Sequence, residues 1–174
     1  MAIIVFVVLV PRGVTALKNI PQASQNIYEQ QCQMALFIET YYNDQSIAAN
    51  DIGAINYFTE TRCLDLWGLS SMEVARAKLE NSFNPRFIDR ITKAENIKIA
   101  ILYDHWFEPY GGLPSGWIKV GEWTIQNNVV CASKTISFFT VDTSEQDLLT
   151  QHLREFSPSL PLDIIQKIGA ELFQ

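Results

Sequence analysis

Basic side chains are few in this sequence, and they are outnumbered by acidic ones. Of 174 residues, 13 are Lys or Arg and 19 are Asp or Glu, which gives a formal net charge of −6 at pH 7. Binding to nucleic acid or to anionic lipid relies on clustered Lys and Arg. The composition therefore excludes a protein that follows a phosphate backbone, and any membrane contact has to come from apolar sequence.

Histidine and cysteine are also scarce. The two histidines, His105 and His152, are far apart and form no two-histidine metal motif. Cys32, Cys63 and Cys131 are an odd number at wide spacing, which fits neither a disulfide framework nor a zinc knuckle. We expect no metal and no cofactor. Buried free thiols are favoured, while a Cys63–Cys131 bridge stays open for an oxidising compartment.

Common catalytic and phosphate-binding motifs are missing. The sequence has no G-x-S-x-G, no Cys with a nearby His, no G-x-G-x-x-G and no G-x-x-x-x-G-K-[ST]. It therefore contains no complete catalytic constellation, and only a site assembled from distant residues stays open.

A single long apolar run stands at the N-terminus. Residues 1–10 read MAIIVFVVLV and end at Pro11. A membrane span needs about 20 apolar residues, and a secretory signal carries positive charge ahead of its apolar stretch. Three interpretations stay open: the end of a membrane helix, a weak signal segment, or a buried first strand. We expect residues 1–13 to be a stub and residues 14–174 to form one domain.

The sequence as a whole has the composition of a folded globular domain, with 48% hydrophobic and 18% charged residues. A helix is predicted from Pro21 to Tyr42 or Asn43, with its glutamines on the polar side: Gln22, Gln25, Gln30, Gln31 and Gln33.

Short apolar segments and turn signals predict the other elements. Strands are predicted at 47–50, 62–66 and 97–103, followed by a hairpin of 117–125 and 129–141 that turns at Asn127 and Asn128. Helices are predicted at 72–79 after Ser70 or Ser71, from Asn84 and Pro85 onward, at 144–156, and at 162–173. The expected fold is α/β, with one mixed sheet of about five strands, an antiparallel hairpin and helices packed on it.

Polar residues follow the first predicted strand. Asn50 and Asp51 lie where this strand ends and a helix begins, which is the edge where ligands bind in open α/β sheets. Capping of the helix by Asp51, through the amides of Gly53 and Ala54, is favoured on local chemistry. A carboxylate at this position can also hold sugar hydroxyls, and the two roles are compatible.

Two further carboxylates complete the candidate substrate-binding set. Asp65 lies in an apolar strand and must be paired there, either with loop amides or at a site. Asp104 and His105 begin a loop rich in Gly and Pro. For His105, a partly exposed side chain with its hydrogen bonds satisfied is favoured over a metal ligand. The candidate residues are Asn50, Asp51, Asp65, Asp104 and His105.

Four aromatic residues form a possible stacking surface for sugar rings. For each of them, core packing or anchoring at a membrane interface is favoured over sugar binding. They are Trp106, Tyr110, Trp117 and Trp123.

Residues 47–58, IAANDIGAINYF, and residues 63–69, CLDLWGL, together resemble a pattern in bacterial polytopic glycosyltransferases. These enzymes are similar to the mannosyl- and aminoarabinose-transferases that use polyprenyl-phosphate-linked sugars. In them, an apolar strand, Asn-Asp-Ile-Gly-Ala, an aromatic pair and Asp-Leu-x-Gly-Leu occur in the water-soluble domain that follows the last transmembrane helix.

The resemblance implies a periplasmic domain tethered by a membrane helix, with residues 1–10 as the end of that helix. The implied partners are a membrane-embedded transferase portion or other membrane proteins, with a polyprenyl-phosphate sugar or a glycan acceptor as ligand. In that class the catalytic acidic residues lie in an early external loop, which has no counterpart in this sequence. No catalytic residue is therefore carried over, and the expected role is to assist acceptor binding or to cover the active site.

Two rival hypotheses stay open on the residues alone. One is a free-standing small enzyme with a carboxylate site built from Asp51, Asp65 and Asp104. The other is a non-catalytic interaction module that docks on membrane proteins through its aromatic loop.

Overall fold

The computed structural model of the chain describes residues 2–173, and the side chains of residues 9–172. It forms a six-stranded sheet with strand order β2-β1-β3-β5-β4-β6. The strands are β1 Ser46–Ala49, β2 Arg62–Asp65, β3 Ile99–Leu102, β4 Ile118–Thr124, β5 Thr135–Thr140 and β6 Ile165–Ile168. The α-helices are α1 Ala2–Ile27, α2 Gln33–Tyr41, α3 Gly53–Phe58, α4 Met72–Leu79, α5 Pro85–Ala94 and α6 Gln146–Phe156.

The sheet is mixed, as the sequence predicts. Strand β1 is parallel to both β2 and β3, while β5 is antiparallel to β3 and β4, and β6 is antiparallel to β4. The predicted α/β class is confirmed, with six strands where about five were expected.

The central strands are buried on both faces. Ile47, Ala49, Ile99 and Ile101 point into one apolar cluster, which α2 and α6 cover with residues such as Phe37 and Leu153. The alternate positions point into a second cluster beneath α4 and α5: Ala48, Ala100 and Leu102. Helices on both faces explain why these strands are continuous apolar runs and not alternating sequences.

Helix α1 replaces the strand that the β-branched residues of the N-terminal run favoured. It extends over 26 residues and contains Pro11 and Pro21, so the strand interpretation of residues 1–10 is wrong for the described part of that run. Residues 9–21 of α1 are all exposed. Among the described residues, no helix combines the length and the apolar character that crossing a bilayer requires.

A π-helical segment, Tyr28–Cys32, links α1 to α2. Gln30, Gln31 and Gln33 are buried there, at 1%, 7% and 1% exposure. Their prediction as part of an exposed polar side is therefore wrong. The wider turn of a π-helix changes the spacing of the positions that face inward, so a 3.6-residue pattern misplaces residues around it.

Two of the predicted helix caps are confirmed. The hydroxyl of Ser71 accepts a hydrogen bond from the Val74 amide at the start of α4. Asn84 caps α5 through the amides of Arg86 and Phe87, and Pro85 follows as the first helical residue.

The end of the chain differs from the prediction. Residues 162–173 were expected to be helical, but Ile165–Ile168 forms β6 on the edge of the sheet, and Gly169–Phe173 is a short 3₁₀ helix. Strand β6 is held there by a side-chain bond from Trp123 Nε1 to Gln166 Oε1, 2.7 Å, and by the buried Ile168. These contacts are long-range and leave no periodic signal in the sequence.

Candidate functional site

The carboxyl ends of the parallel strands bring most of the predicted site residues to one edge of the sheet. Asn50 and Asp51 follow β1, Asp65 ends β2, and Asp104 lies two residues beyond β3. The position of this edge agrees with the expectation for open α/β sheets. What each side chain does there depends on its hydrogen bonds.

Asn50 ties two strands together. Its side chain is 2% exposed. The side-chain oxygen accepts from the Tyr103 amide at 3.0 Å, and the side-chain nitrogen donates to the Tyr103 carbonyl at 3.4 Å. Asn50 therefore extends the β1–β3 pairing by one step, with both of its polar atoms engaged.

Asp51 does not cap the helix that follows it. The N-cap of α3 is Ile52, and no side chain caps it, so the capping interpretation is wrong. The Oδ2 atom of Asp51 instead accepts from Gln31 Nε2 at 2.8 Å and from the Tyr103 hydroxyl at 3.2 Å. The carboxylate is turned away from the α3 amides because the π segment presents an amide donor to it.

Tyr103 completes this network. Its hydroxyl donates to Gln30 Oε1 at 2.6 Å and accepts from Gln31 Nε2 at 2.7 Å. Burial, and after it the charge of Asp51, raises the pKa of Tyr103 well above its usual value. The hydroxyl therefore stays protonated. We call the four residues Gln30, Gln31, Asp51 and Tyr103 the latch, because they join the end of the long N-terminal helix to the sheet.

Asp65 accepts hydrogen bonds from the backbone of the loop that follows β2. It is 1% exposed and accepts four backbone amides: Trp67 at 2.7 Å, Gly68 at 3.1 Å, Ser70 at 2.6 Å and Ser71 at 3.3 Å. The loop-amide interpretation is thus confirmed. Burial alone would raise the pKa of Asp65, but the amides outweigh it and the pKa lies below its usual value.

The Asp-Leu-Trp-Gly-Leu sequence has a structural explanation in this loop. Gly68 has φ of +89°, and a Cβ there would lie 2.9 Å from the Ala75 nitrogen. Lys78 Nζ donates to the Trp67 carbonyl at 2.9 Å and lies 3.0 Å from the centroid of the Trp67 ring. Burial lowers the pKa of Lys78 to about 8. The motif therefore forms a turn whose amides bind Asp65 and whose Trp67 carbonyl binds Lys78.

Asp104 and His105 lie at the rim. Asp104 Oδ2 accepts from Lys119 Nζ at 3.3 Å and from Ser137 Oγ at 3.2 Å, and Oδ1 accepts the His105 amide at 3.1 Å. The His105 side chain is exposed. Within residues 9–172, no three His, Cys, Asp or Glu side chains lie close enough to hold a metal ion.

The predicted aromatic surface lies mainly inside the protein. Trp117 and Trp123 are 9% and 1% exposed, so core packing is confirmed for both. Trp106 and Tyr110 are half-buried, and each packs against the Trp67 ring, with centroids 4.5 and 6.2 Å away.

Helix α3 presents the exposed part of the motif. A Cβ on Gly53 would meet no atom within 4 Å, so neither crowding nor a left-handed backbone requires glycine there. Tyr57 and Phe58 are 81% and 50% exposed, and their rings meet edge to face with centroids 4.8 Å apart. An exposed aromatic pair beside an uncrowded glycine is a surface that a partner can approach closely.

The cysteines carry no disulfide. Cys32, Cys63 and Cys131 are all free and half-buried. Burial raises the pKa of Cys63 to about 12 and that of Cys131 to about 11. Both thiols are therefore protonated at neutral pH and poor nucleophiles.

Sequence reasoning missed three members of the latch: Gln30, Gln31 and Tyr103. Consecutive glutamines within an otherwise apolar helix were a signal, because buried amides need specific partners. Tyr103 was visible as the last residue of a predicted strand. Which donor meets which acceptor depends on the π segment, and the sequence did not indicate it.

Fold and site together define a mixed α/β domain whose polar carboxyl edge is latched to a long N-terminal helix. The chain belongs to the family described as Domain of unknown function (DUF8728), which matches residues 25–139. No curated protein and no solved structure matches the chain. The matched range contains all four latch residues and Asp65, together with the exposed surface of α3.

Proposed function

We propose that this chain is the non-catalytic, periplasmic domain of a membrane glycosyltransferase or of a truncated relative, with α1 as its tether. In this proposal the domain helps to bind a glycan acceptor or a polyprenyl-phosphate sugar, or covers the active site of the membrane-embedded portion. The observation that carries it is the latch, since the helix that leaves the domain and the Asn50–Asp51 motif meet at the same edge of the sheet.

Exposure along α1 supports the tether. Apolar side chains on this helix stand clear of the domain, including Leu9 at 57%, Leu17 at 67% and Ile20 at 55% exposure. An isolated apolar surface of this kind favours contact with lipid or with another protein. The apolar residues 2–10 belong to the same helix.

The exposed surface of α3 supports contact with a partner. This helix packs against α2 and the π segment, which leaves Tyr57 and Phe58 exposed on its other side. The part of the motif without a structural explanation, Gly53, belongs to the same surface.

The bonding of the carboxylates supports a non-catalytic role. Asp65 is committed to four amides, Asp51 to the latch, and Asp104 to Lys119 and Ser137. A free-standing enzyme that uses these three groups would have to release structural bonds during each turnover. That rival hypothesis is therefore less well supported than the tethered domain.

A transfer assay tests the proposed role. In a full-length polytopic transferase whose C-terminal domain carries the Asn-Asp-Ile-Gly-Ala motif, the counterpart of Tyr57→Ala is expected to lower sugar transfer about tenfold, as loss of an aromatic anchor does at interfaces. A counterpart of Leu79→Ala, which truncates a side chain that is 85% exposed on α4, serves as the control. Unchanged transfer and unchanged acceptor choice after deletion of the whole domain would refute the proposal.

A flotation assay tests the tether separately. The full chain is expected to rise with phosphatidylcholine vesicles in a density gradient, because the apolar end of α1 partitions into lipid without any need for basic residues. A variant that lacks residues 1–13 is expected to stay at the bottom. Leu79→Glu, which removes an exposed apolar side chain elsewhere, should float like the unmodified chain. Equal flotation of the full and shortened chains would exclude α1 as the tether.

A further inference from the structure

A cleft of about 270 Å³ lies between the end of α1 and the turn that joins β4 to β5. The last turns of α1 and the π segment form one wall, and the β4–β5 turn and the segment before β6 form the other. Its volume lies just below that of drug-sized sites, about 300 to 1,000 Å³, so it suits a small ligand. The lining residues are Gln22, Gln25, Glu29, Gln126, Asn127 and Asp163.

Glu29 is the buried acidic group of this cleft. The residue is 2% exposed, and its Oε1 atom accepts from Gln25 Nε2 at 2.6 Å. Its Oε2 atom has no hydrogen bond and no ion pair with any described residue. This oxygen is also not sealed from solvent, unlike the unbonded Trp117 Nε1 and Glu145 Oε2. Oε2 is therefore accessible from the cleft that Glu29 lines.

The charge of Glu29 lacks the compensation that a buried carboxylate normally has. Removing a carboxylate from water is costly, so buried carboxylates are paired with a cation or with several hydrogen-bond donors. Asp65 shows this state, because four backbone amides bind it. Glu29 has one neutral amide donor and, in the part of the chain that the structure describes, no cation. The missing partner is therefore a cation supplied from outside.

The other lining residues favour the same kind of ligand. No Lys or Arg is among the described residues that line the cleft, and Asp163 adds a second carboxylate. Gln25 uses its side-chain nitrogen on Glu29, which leaves its side-chain oxygen available as an acceptor. Acceptor oxygens around a carboxylate match a cation that carries several N–H donors.

A bare metal ion fits this cleft less well than an organic cation does. Calcium takes about six to eight oxygen ligands at close range, with carboxylates prominent among them. Within residues 9–172, no three His, Cys, Asp or Glu side chains come together. The cleft volume also exceeds that of a single ion, and this space accommodates carbon atoms as well as a charged group.

Hydrogen bonds join the two walls of the cleft. The side-chain nitrogen of Asn26 donates to the Gln126 carbonyl at 3.2 Å, and its side-chain oxygen accepts the Val129 amide at 2.9 Å. Asn26 is fully buried. The cleft is therefore formed before a ligand arrives, which lowers the entropy lost on binding.

We propose that this cleft binds a small organic cation with N–H donors, an alkylammonium or a guanidinium, with Glu29 Oε2 as its main acceptor and Asp163 as a second one. This inference goes beyond the proposed function and does not depend on it. A failed flotation or transfer assay leaves the cation site intact, and a failed cation titration leaves the tether intact.

The test is a titration of the ¹⁵N-labelled full chain with putrescine and with low concentrations of guanidinium chloride, at an ionic strength of about 0.15 M to screen weak surface attraction. We expect the side-chain amide resonances of Gln25 to shift saturably with at least one of these cations. Gln151 is the internal control, because its amide donates to Glu155 at 2.7 Å across the same four-residue spacing on an exposed helix face. Its resonances should stay fixed.

Matched variants identify Glu29 as the acceptor. Glu29→Gln is expected to weaken cation binding at least about tenfold, as loss of a charged hydrogen-bond partner does, whereas Glu155→Gln should bind as the unmodified chain does. Asp163→Asn, at an exposed position, is expected to weaken binding about threefold, as loss of an exposed ion pair does. This variant provides a test that does not depend on the folding of Glu29→Gln.

Four results would overturn the proposal. Neither cation shifts the Gln25 amide, or tetramethylammonium, which has no N–H donor, shifts it as strongly. Calcium chloride alone shifts it while the two organic cations do not, which would indicate a metal site. Glu29→Gln and Glu155→Gln bind the cation equally well.

Discussion

At the scale of single residues, hydrogen-bonded carboxylates define the carboxyl edge. Asp65 could be predicted as a paired group because a charged side chain in an apolar strand has few alternatives. Its partners are amides within the next six residues, so the bonding is local. Asp51 could not be assigned in the same way. The nearest amides are those of α3, but the donors it meets come from Gln31 and Tyr103, far away in the sequence.

Replacing Asp65 tests this assignment. Asp65→Asn keeps the size of the side chain but removes the charge and one acceptor, so four amides lose a charged partner. We expect the free energy of unfolding to fall by about 2 to 3 kcal/mol, measured by urea denaturation. Asp44→Asn, at an exposed position after α2, should change it by less than about 0.5 kcal/mol. Equal effects of the two variants would contradict the assignment.

The same residue predicts a pH dependence. Because the pKa of Asp65 is lower in the folded chain than in the unfolded one, its contribution is complete above the unfolded value of about 3.9. The contribution is lost as pH falls from there through the folded pKa. Urea midpoints of the unmodified chain should therefore decline more steeply below about pH 4 than those of Asp65→Asn. Parallel curves for the two proteins would show that the carboxylate is not stabilised by folding.

At the scale of elements, helices and strands with local sequence signals were predicted correctly, whereas those fixed by contacts between distant residues were not. Strand β3 and helices α4 and α5 follow from apolar runs and from the caps at Ser71 and Asn84. Strand β6 was mistaken for a helix, because its only signals are contacts with β4. The π segment could not be predicted for a related reason. Its wider turn changes which helix positions face inward, and the glutamines that become buried are satisfied by hydrogen bonds to residues far away in the sequence.

The latch predicts how α1 and the π segment are held. Tyr103→Phe removes the hydroxyl that meets Gln30, Gln31 and Asp51 but keeps the buried ring. We expect a loss of about 1 to 2 kcal/mol, and faster amide hydrogen exchange within residues 28–32 than within β3. Tyr57→Phe, at 81% exposure, is the matched control. Unchanged exchange in the π segment would show that apolar packing alone fixes it.

At the scale of the whole molecule, stability and attachment are assigned to different parts of the chain. Two apolar clusters share the central strands β1 and β3, so the domain should unfold in one cooperative step. Residues 9–21 of α1 are exposed along their length and bury little apolar surface. The mixed α/β class was predictable from the short apolar segments and turn signals, whereas the extension of the helix from Ile27 back to Ala2 was not.

This division predicts the behaviour of a shortened chain. Removing residues 1–13 should leave the thermal midpoint of the domain within about 2 °C of the full chain, since a shift of that size corresponds to at most about 1 kcal/mol for a domain of this length. The same deletion is expected to abolish flotation with vesicles. Calorimetry and the density gradient on one preparation separate the two effects. A large drop in the midpoint would mean that the outer part of α1 packs on the domain, and the loss of flotation would then have to be attributed to unfolding and not to the missing tether.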